Sequence, residues 1–156
     1  MIRLRETFED EVPSLCKLDQ QPHACDYIIA TPESTHRGNL ADKSIIYLTI
    51  VDQNEEMAGY FILVREPEHS IEFRRILIEA SRRGIGQTAI TLMEDYCWNE
   101  LDASRIWLDV FEDNSRGIHI YEKMGYRYFR TVWYEGRKLF YYEKLKHSNQ
   151  GAYNSG

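Results

Sequence analysis

The sequence NSRGIHIYEKMGY, at residues 114–126, decides the fold prediction because it marks a short helix with a clear start and end. Asp113 or Asn114 can cap the N-terminus of this helix through a side-chain oxygen. Gly125 can end it, since glycine readily adopts the left-handed conformation that closes a helix. The preceding residues 105–111, RIWLDVF, are almost continuously apolar, which predicts a strand buried on both faces. The region therefore predicts a buried strand followed by a helix.

A glycine-containing turn lies earlier in the chain. Arg83-Gly84-Ile85-Gly86 follows the apolar run Ile71–Ile78 and leads into an amphipathic helical pattern. The first N–H groups of a helix have no internal partner, and glycine lets the backbone approach an anion, so such a turn can hold a phosphate. It lacks the Lys-Ser/Thr of a Walker motif and the third glycine of a dinucleotide fingerprint. By itself the turn indicates either an anion site or a purely structural turn.

The rest of the chain predicts a mixed sheet. A Glu/Asp-rich segment from Thr7 has helical apolar spacing, whereas the segment Gln20–Lys43 is poorly patterned and is either a substrate-facing lid or a plain connection. Further strands are predicted at 2–5, 44–51, 57–65, 126–134 and 138–145. This order predicts an α/β domain with a mixed, mostly antiparallel sheet of six to seven strands flanked by helices. We expect the domain to span residues 1–146, with 147–156 as a disordered tail.

The composition limits the classes of function. The 156 residues are 43% hydrophobic and 28% charged, as in one globular domain. A net charge of -6 argues against a nucleic-acid partner and is compatible with a cationic substrate or simply with solubility. The three cysteines lack metal-ligand spacing, and the sequence shows neither a membrane-length apolar run nor a signal-peptide core. We therefore expect a cytoplasmic protein with no metal and no membrane partner.

The turn and the 114–126 segment together resemble the GNAT superfamily of acetyltransferases. Residues 114–126 are similar to the Asn-x-x-Ala…Tyr-Glu-Lys-x-Gly-Phe signature, and Ile71–Ile78 looks like the cofactor-binding strand of the family. Two positions differ from the family pattern. Ser81 stands where Arg or Gln is usual, and Gly117 replaces the usual alanine, which costs about 1 kcal/mol of helix propensity. The short loop before Gly84 resembles that of members near the ribosomal-protein and polyamine acetyltransferases.

The resemblance implies the acyl-CoA N-acyltransferase fold and a reaction. Acetyl-CoA would be the co-substrate, and a primary amine would attack its thioester directly. The acceptor is left open as a polyamine, an amino sugar or antibiotic, or a protein N-terminus. The alternative is a non-catalytic acetyl-CoA-binding sensor or partner module. Sheet edges of this fold often pair, so the Tyr-rich C-terminal hairpin suggests a possible homodimer.

The resemblance also implies how the cofactor is held. A bulge would splay the cofactor strand from residues 105–111 and open a slot for the thioester arm. Asn114 would bond the pantetheine amide, and Arg82 or Arg83 would supply side-chain donors in place of the missing first residue of the turn. Main-chain groups of the strand and turn would hold the acetyl, pantetheine and pyrophosphate portions: Ile76, Leu77, Ile78, Arg83, Gly84, Ile85, Gly86 and Gln87.

An acid and a base are implied as well. Tyr121 is the candidate acid that protonates the leaving thiolate, with packing in the core as its alternative role. Glu72 is the candidate base for the amine, acting through water, with an ion pair to Arg74 as its alternative role. Glu79 is a weaker candidate base because it lies beside the phosphate loop.

Overall fold

The computed structural model describes residues 1–24, 28, 30–82 and 84–146, where it shows one seven-stranded mixed sheet with helices on both faces. The helices are α1 (Val12–Asp19), α2 (Glu33–Ala41), α3 (Gly86–Asn99) and α4 (Ser115–Lys123). The strands are β1 (Ile2–Glu6), β2 (Ile45–Asp52), β3 (Met57–Glu66), β4 (Ser70–Ile78), β5 (Arg105–Phe111), β6 (Arg127–Tyr134) and β7 (Arg137–Leu145). The strand order is β1-β2-β3-β4-β5-β7-β6, which confirms the predicted fold class. The predicted tail, 147–156, lies outside the described residues.

Two hydrophobic clusters lie on the two faces of the sheet. The larger cluster joins α3 and α4 to the sheet, with Ala89 and Met93 of α3 fully buried. The smaller cluster contains Leu15 and Leu18 of α1. Its members from the sheet all belong to β2, β3 or β4. Within the described part of the chain, α1 and α2 therefore cover only half of their face of the sheet. No described side chain of β5 or β7 belongs to this smaller cluster, so that face of the two strands lies outside it.

The uncovered face corrects the prediction for β5. Ile106, Leu108 and Val110 are buried in the larger cluster, but Asp109 between them is exposed. The expectation of a strand buried on both faces is therefore wrong. The reason is tertiary, because an apolar run can signal burial but cannot show where the covering helices end.

A bulge in β4 separates it from β5. The two strands are paired in parallel only over their first three residues, ending at Glu72 and Trp107. Directly afterwards the register of β4 against β3 shifts, which leaves Arg74 as an extra residue between the paired residues Phe73 and Arg75. Such a bulge bends its strand. The C-terminal halves of β4 and β5 thus diverge, as the resemblance implies, and a gap opens between them.

Gly59 on β3 lies too close to β4 for any side chain. A Cβ at this position would be 2.1 Å from the carbonyl oxygen of Leu77 and 3.1 Å from Cα of Ile78. Both atoms belong to the backbone, so neither can swing away. We expect Gly59→Ala to lower the free energy of unfolding by about 1–3 kcal/mol, measured by urea denaturation.

Gly38→Ala is the matched control for that substitution. Gly38 lies inside α2, and an added Cβ would meet nothing within 4 Å. This change should stabilise the helix by about 0.5–1 kcal/mol. Equal unfolding free energies for the two variants would contradict the close approach of β3 and β4.

A buried polar network ties α1 and α2 to the sheet. The carboxylate of Asp19 lies 2.9 Å from Nε2 of His36 and 3.4 Å from Nη1 of Arg75, and it accepts a hydrogen bond from the hydroxyl of Tyr60. The other ring nitrogen of His36 lies 2.7 Å from the hydroxyl of Tyr47. Buried polar groups are stable only when they are partnered, so this network fixes where the two helices sit. None of the helices within the described ranges is long and apolar enough to cross a membrane.

Candidate active site

A cavity of about 440 Å³ lies beside the end of β4. Its walls come from β4, from the glycine turn before α3, from α4, and from residues that precede α2. Six of the predicted cofactor-binding residues line it: Ile76, Leu77, Ile78, Gly84, Gly86 and Asn114. The candidate acid Tyr121 lines it too, whereas Ile85 and Gln87 are not among the lining residues. The folded chain thus brings the two sequence motifs together around one space.

The open edge of β4 presents backbone groups to this cavity. The N–H of Glu79 donates to a β3 carbonyl oxygen at 2.8 Å. Backbone groups alternate in direction along a strand, so those of Leu77 also point towards β3, and those of Ile76 and Ile78 point away from it. Consistent with this, the carbonyl oxygen of Ile78 lies 3.1 Å from Nε2 of His23. The geometry fits a main-chain role for Ile76 and Ile78 but not for Leu77, whose backbone faces β3.

The glycine turn leaves a helix N-terminus open. Gly84 has a φ of +103°, which a residue with a side chain adopts only with strain. The helix α3 then begins at Gly86, and no side chain of the described residues caps it. A Cβ added to Gly86 would meet nothing within 4 Å, so the backbone here is open to a ligand. Among the described residues, nothing accepts a hydrogen bond from the N–H groups of Gly86 and Gln87, as an anion site requires. Arg83 lies outside the described residues.

Arg82, an expected side-chain donor beside this turn, is paired with other residues. Its guanidinium pairs with Asp52 at the end of β2, and Glu56 is 3.6 Å away, so the side chain is held away from the turn. These ion pairs do not favour Arg82 as a donor to the cofactor, and the choice between Arg82 and Arg83 stays a prediction. Among the described residues, Arg116 on α4 is the arginine that lines the cavity. Its position inside the 114–126 signature did not mark it as a site residue.

Asn114 caps α4 and also lines the cavity. Its Oδ1 accepts a hydrogen bond from the backbone N–H of Gly117 at 3.0 Å, which makes it the N-cap of α4. A Cβ on residue 117 would lie 2.8 Å from Nδ2 of Asn114. Gly117 is thus explained by the folded-back cap. The amide nitrogen of Asn114 is the part of the side chain left to bond a ligand.

Tyr121 packs against aromatic side chains and lines the cavity. Its ring packs edge-on against Phe73 and Tyr126, at 5.9 and 6.0 Å between ring centroids. Within the described residues its hydroxyl makes no hydrogen bond, and it lines the cavity. Burial, followed by the negative charge of Asp109, raises the pKa of Tyr121 to about 12. The hydroxyl therefore keeps its proton at neutral pH.

The two predicted bases are both engaged with neighbours. Glu72 is mostly buried and forms a two-point ion pair with Arg74, at 2.8 and 3.3 Å, which is the alternative role that the sequence left open. Glu79 accepts hydrogen bonds from the hydroxyl and the N–H of Ser81, and these bonds lower its pKa. The role of Glu72 as base stays a prediction.

Asp109 is the acidic residue that sequence analysis missed. Burial within the gap and the negative charge of Glu72 raise the pKa of its carboxyl, and the positive charge of Arg74 partly opposes this. The side chain is nevertheless open to solvent on one side. A single carboxylate inside an otherwise apolar strand was the available signal.

The segment before α2 also reaches the cavity. His23, Ala24 and Ile28 line it, so part of the poorly patterned Gln20–Lys43 segment takes part in the site. A plain connection need not line a cavity, so this contact favours the substrate-facing lid of the two interpretations.

Comparisons with known proteins place this geometry in a family. The model described as "Acetyltransferase (GNAT) family" matches residues 6–126, which is most of the chain. An uncharacterized N-acetyltransferase of Bacillus subtilis (strain 168), YdgE, is 36% identical over 80 residues. That match spans 48% of this chain and only half, 50%, of the length of the relative.

Two solved structures share the whole fold. The spermidine N-acetyltransferase from Vibrio cholerae in complex with CoA and spermine aligns with a TM-score of 0.83 at 18% identity, covering 96% of this chain and 98% of that one. Aminoglycoside acetyltransferase AAC(6')-Ib in complex with coenzyme A and kanamycin aligns with a TM-score of 0.80 at 17% identity, covering 98% and 99%. At these identities the likeness shows the fold. Together with the family match over residues 6–126, it shows that this chain belongs to the GNAT family of acetyltransferases.

Proposed function

We propose that this chain transfers the acetyl group of acetyl-CoA to a primary amine. The observation that carries the proposal is that one cavity joins three features: the open edge of β4, the uncapped start of α3, and Tyr121. The α3 N-terminus suits the pyrophosphate, and the backbone of Ile76 and Ile78 suits the pantetheine amides. In the proposed arrangement, the thioester end of the cofactor lies towards Tyr121 and the gap.

The chemistry requires a neutral amine and a good leaving group. The nitrogen lone pair forms a C–N bond to the thioester carbonyl carbon, and collapse of the tetrahedral intermediate breaks the C–S bond. The departing thiolate takes a proton from Tyr121, whose raised pKa keeps that proton in place until it is needed. The remaining requirement is to remove a proton from the acceptor, since a free alkylamine has a pKa of about 10.

We propose a cationic acceptor of the polyamine or aminoglycoside class. Two carboxylates, Glu72 and Asp109, interact at the gap, and the whole chain has a net charge of -6. A negative field of this kind concentrates cations. The two aligned structures hold spermine and kanamycin, both of which carry several amines.

The test is acetyl transfer from labelled acetyl-CoA to spermidine, kanamycin and a peptide with a free N-terminus. The expected result is label on a polycationic acceptor. Label on the peptide alone would overturn the acceptor class and keep the enzyme. Cofactor binding without transfer to any amine would favour the non-catalytic sensor or partner module instead.

Arg116 offers a separate test of the cofactor site. It is exposed at the cavity wall near the uncapped α3 N-terminus, where a cofactor phosphate would lie. We expect Arg116→Ala to raise the Kd for CoA about tenfold, measured by calorimetry, through loss of roughly 1.4 kcal/mol. Arg127→Ala, at an exposed position at the start of β6, is the matched control and should leave the Kd unchanged. Equal Kd values for both variants would mean that the phosphates lie elsewhere.

We also propose that the protein works in the cytoplasm as a homodimer paired through the β6–β7 hairpin. Cys16 and Cys97 are free thiols, which suits a reducing compartment. β6 is an edge strand, and it exposes Tyr128, Trp133 and Tyr134. Light scattering on the purified chain tests the dimer, and a monomer mass at micromolar concentration would contradict it.

A further inference from the structure

Asp109 lies on β5 beside the gap, where β4 and β5 diverge. It lies two residues beyond Trp107, the last β5 residue that pairs with β4. Side chains two apart on a strand share a face, so Asp109 lies on the face that carries Trp107, opposite the buried Leu108 and Val110. Among the described residues, no β5 side chain belongs to the hydrophobic cluster that α1 forms on this face, and Asp109 is exposed. An acceptor can therefore reach Asp109 from solvent.

The negative charge of Asp109 also acts on a residue at the cavity side of the sheet. Its charge raises the pKa of Tyr121, which lines the cavity from α4. Its charge and that of Glu72 also act on each other across the gap. Asp109 thus lies between the side from which an amine can approach and the side on which the thioester would lie.

Asp109 and Glu72 differ in their partners. Glu72 is clamped by Arg74 through two nitrogen–oxygen contacts. Asp109 forms no ion pair or hydrogen bond with any residue in the described ranges. Both carboxylate oxygens of Glu72 already accept a hydrogen bond from Arg74, so they are less available to an acceptor ammonium. The carboxylate of Asp109, which is unpartnered among the described residues and partly desolvated, is more available to accept a proton.

Resting on the proposed function, we infer that Asp109, rather than Glu72, is the catalytic base that takes the proton from the acceptor ammonium. The proton passes to the Asp109 carboxylate, and the freed lone pair attacks the thioester carbon. After the C–S bond breaks, sulfur holds the proton of Tyr121. The extra proton on the new amide nitrogen leaves through water to restore Tyr121, and the proton on Asp109 goes to solvent. The sum is one ammonium and one thioester giving one amide, one thiol and one proton.

The environment of Asp109 suits this task. Its charge interacts with those of Glu72 and Arg74 on β4 and acts on Tyr121 of α4, and its register partner on β7 is Tyr141. Burial and Glu72 raise its pKa, which makes it a stronger base than an ordinary aspartate. The proton transfer still runs uphill from an amine, so the effect of a base should be greatest where the amine is fully protonated.

The experiment compares Asp109→Asn, Glu72→Gln and Asp95→Asn with wild type, using the best acceptor from the amine panel at saturation. Asp95 is an exposed acid on α3 and serves as the matched control. We expect Asp109→Asn to lower kcat about 100-fold at pH 7, with the deficit shrinking towards pH 10 as the amine becomes neutral. Asp109→Glu should recover part of the turnover. An unchanged rise in Tm on adding CoA shows that each variant is folded.

The outcomes separate the two claims. If wild type acetylates no amine, the proposed function fails. If wild type is active and Asp109→Asn keeps its kcat and pH profile, the inference about Asp109 is overturned while the proposed function stands. The inference also fails if Glu72→Gln shows the larger loss, or if Asp109→Asn raises KM for the amine and leaves kcat intact.

Discussion

Replacing Tyr121 by phenylalanine is expected to lower kcat about 100-fold or more at pH 7, with little change in the affinity for acetyl-CoA. The substitution removes one hydroxyl and keeps the ring contacts with Phe73 and Tyr126. That hydroxyl has no hydrogen-bond partner within the described residues, so its loss leaves no protein group unsatisfied. The measurements are single-turnover acetyl transfer and CoA affinity by calorimetry.

Tyr134→Phe is the control for this prediction. Tyr134 is 54% exposed on β6 and lies outside the cavity lining. It should keep wild-type turnover. If Tyr121→Phe retained full turnover too, the acid would have to be another group, and core packing would be the role of Tyr121.

The local signals in the sequence account for the framework of the site. The strand bounds agree with the prediction to within one residue, because turns and apolar alternation are encoded locally. The cap by Asn114 and the start of α3 after the glycine turn follow from the same kind of signal. These elements suffice to predict the family and the position of the cavity.

The rest depended on contacts between segments far apart in the chain. Arg82 stands beside the turn in sequence, but Asp52, from a different strand, holds its side chain away. The sequence predicts Asp109 to lie in a strand buried on both faces. No local pattern shows that the packing of α1 and α2 on the sheet ends at β4. The position of charged groups at the site is therefore set by tertiary contacts, which local sequence patterns do not show.

Replacing Asp19 by asparagine is expected to lower the free energy of unfolding by about 3 kcal/mol at pH 7, since removing one partner of a buried ion pair is strongly destabilising. The side chains of Asp19 and His36 are both 0% exposed, and that of Arg75 is 15% exposed. Asparagine has nearly the same shape but no charge to offset Arg75. Urea denaturation measures the loss.

Asp10→Asn, in the exposed turn before α1, is the matched control and should change stability by less than about 0.5 kcal/mol. A similar small change for Asp19→Asn would show that the network contributes little. The variant should also weaken cofactor binding, because Asp19 holds Thr31 and α2 near the cavity wall.

The pH dependence gives this prediction a second, independent readout. Burial acts to raise the pKa of Asp19, but the hydrogen bonds from His36 and Tyr60 and the charge of Arg75 outweigh it, so the pKa is lowered from 3.8. A carboxyl with a lowered pKa in the folded state adds stability above its unfolded pKa and loses it as pH falls through the folded value. The stability gap between wild type and Asp19→Asn should therefore be full at pH 7 and close at pH values below 3.8. If the difference in unfolding free energy stayed constant through acid pH, it would arise from a change in packing and not from the charge of Asp19.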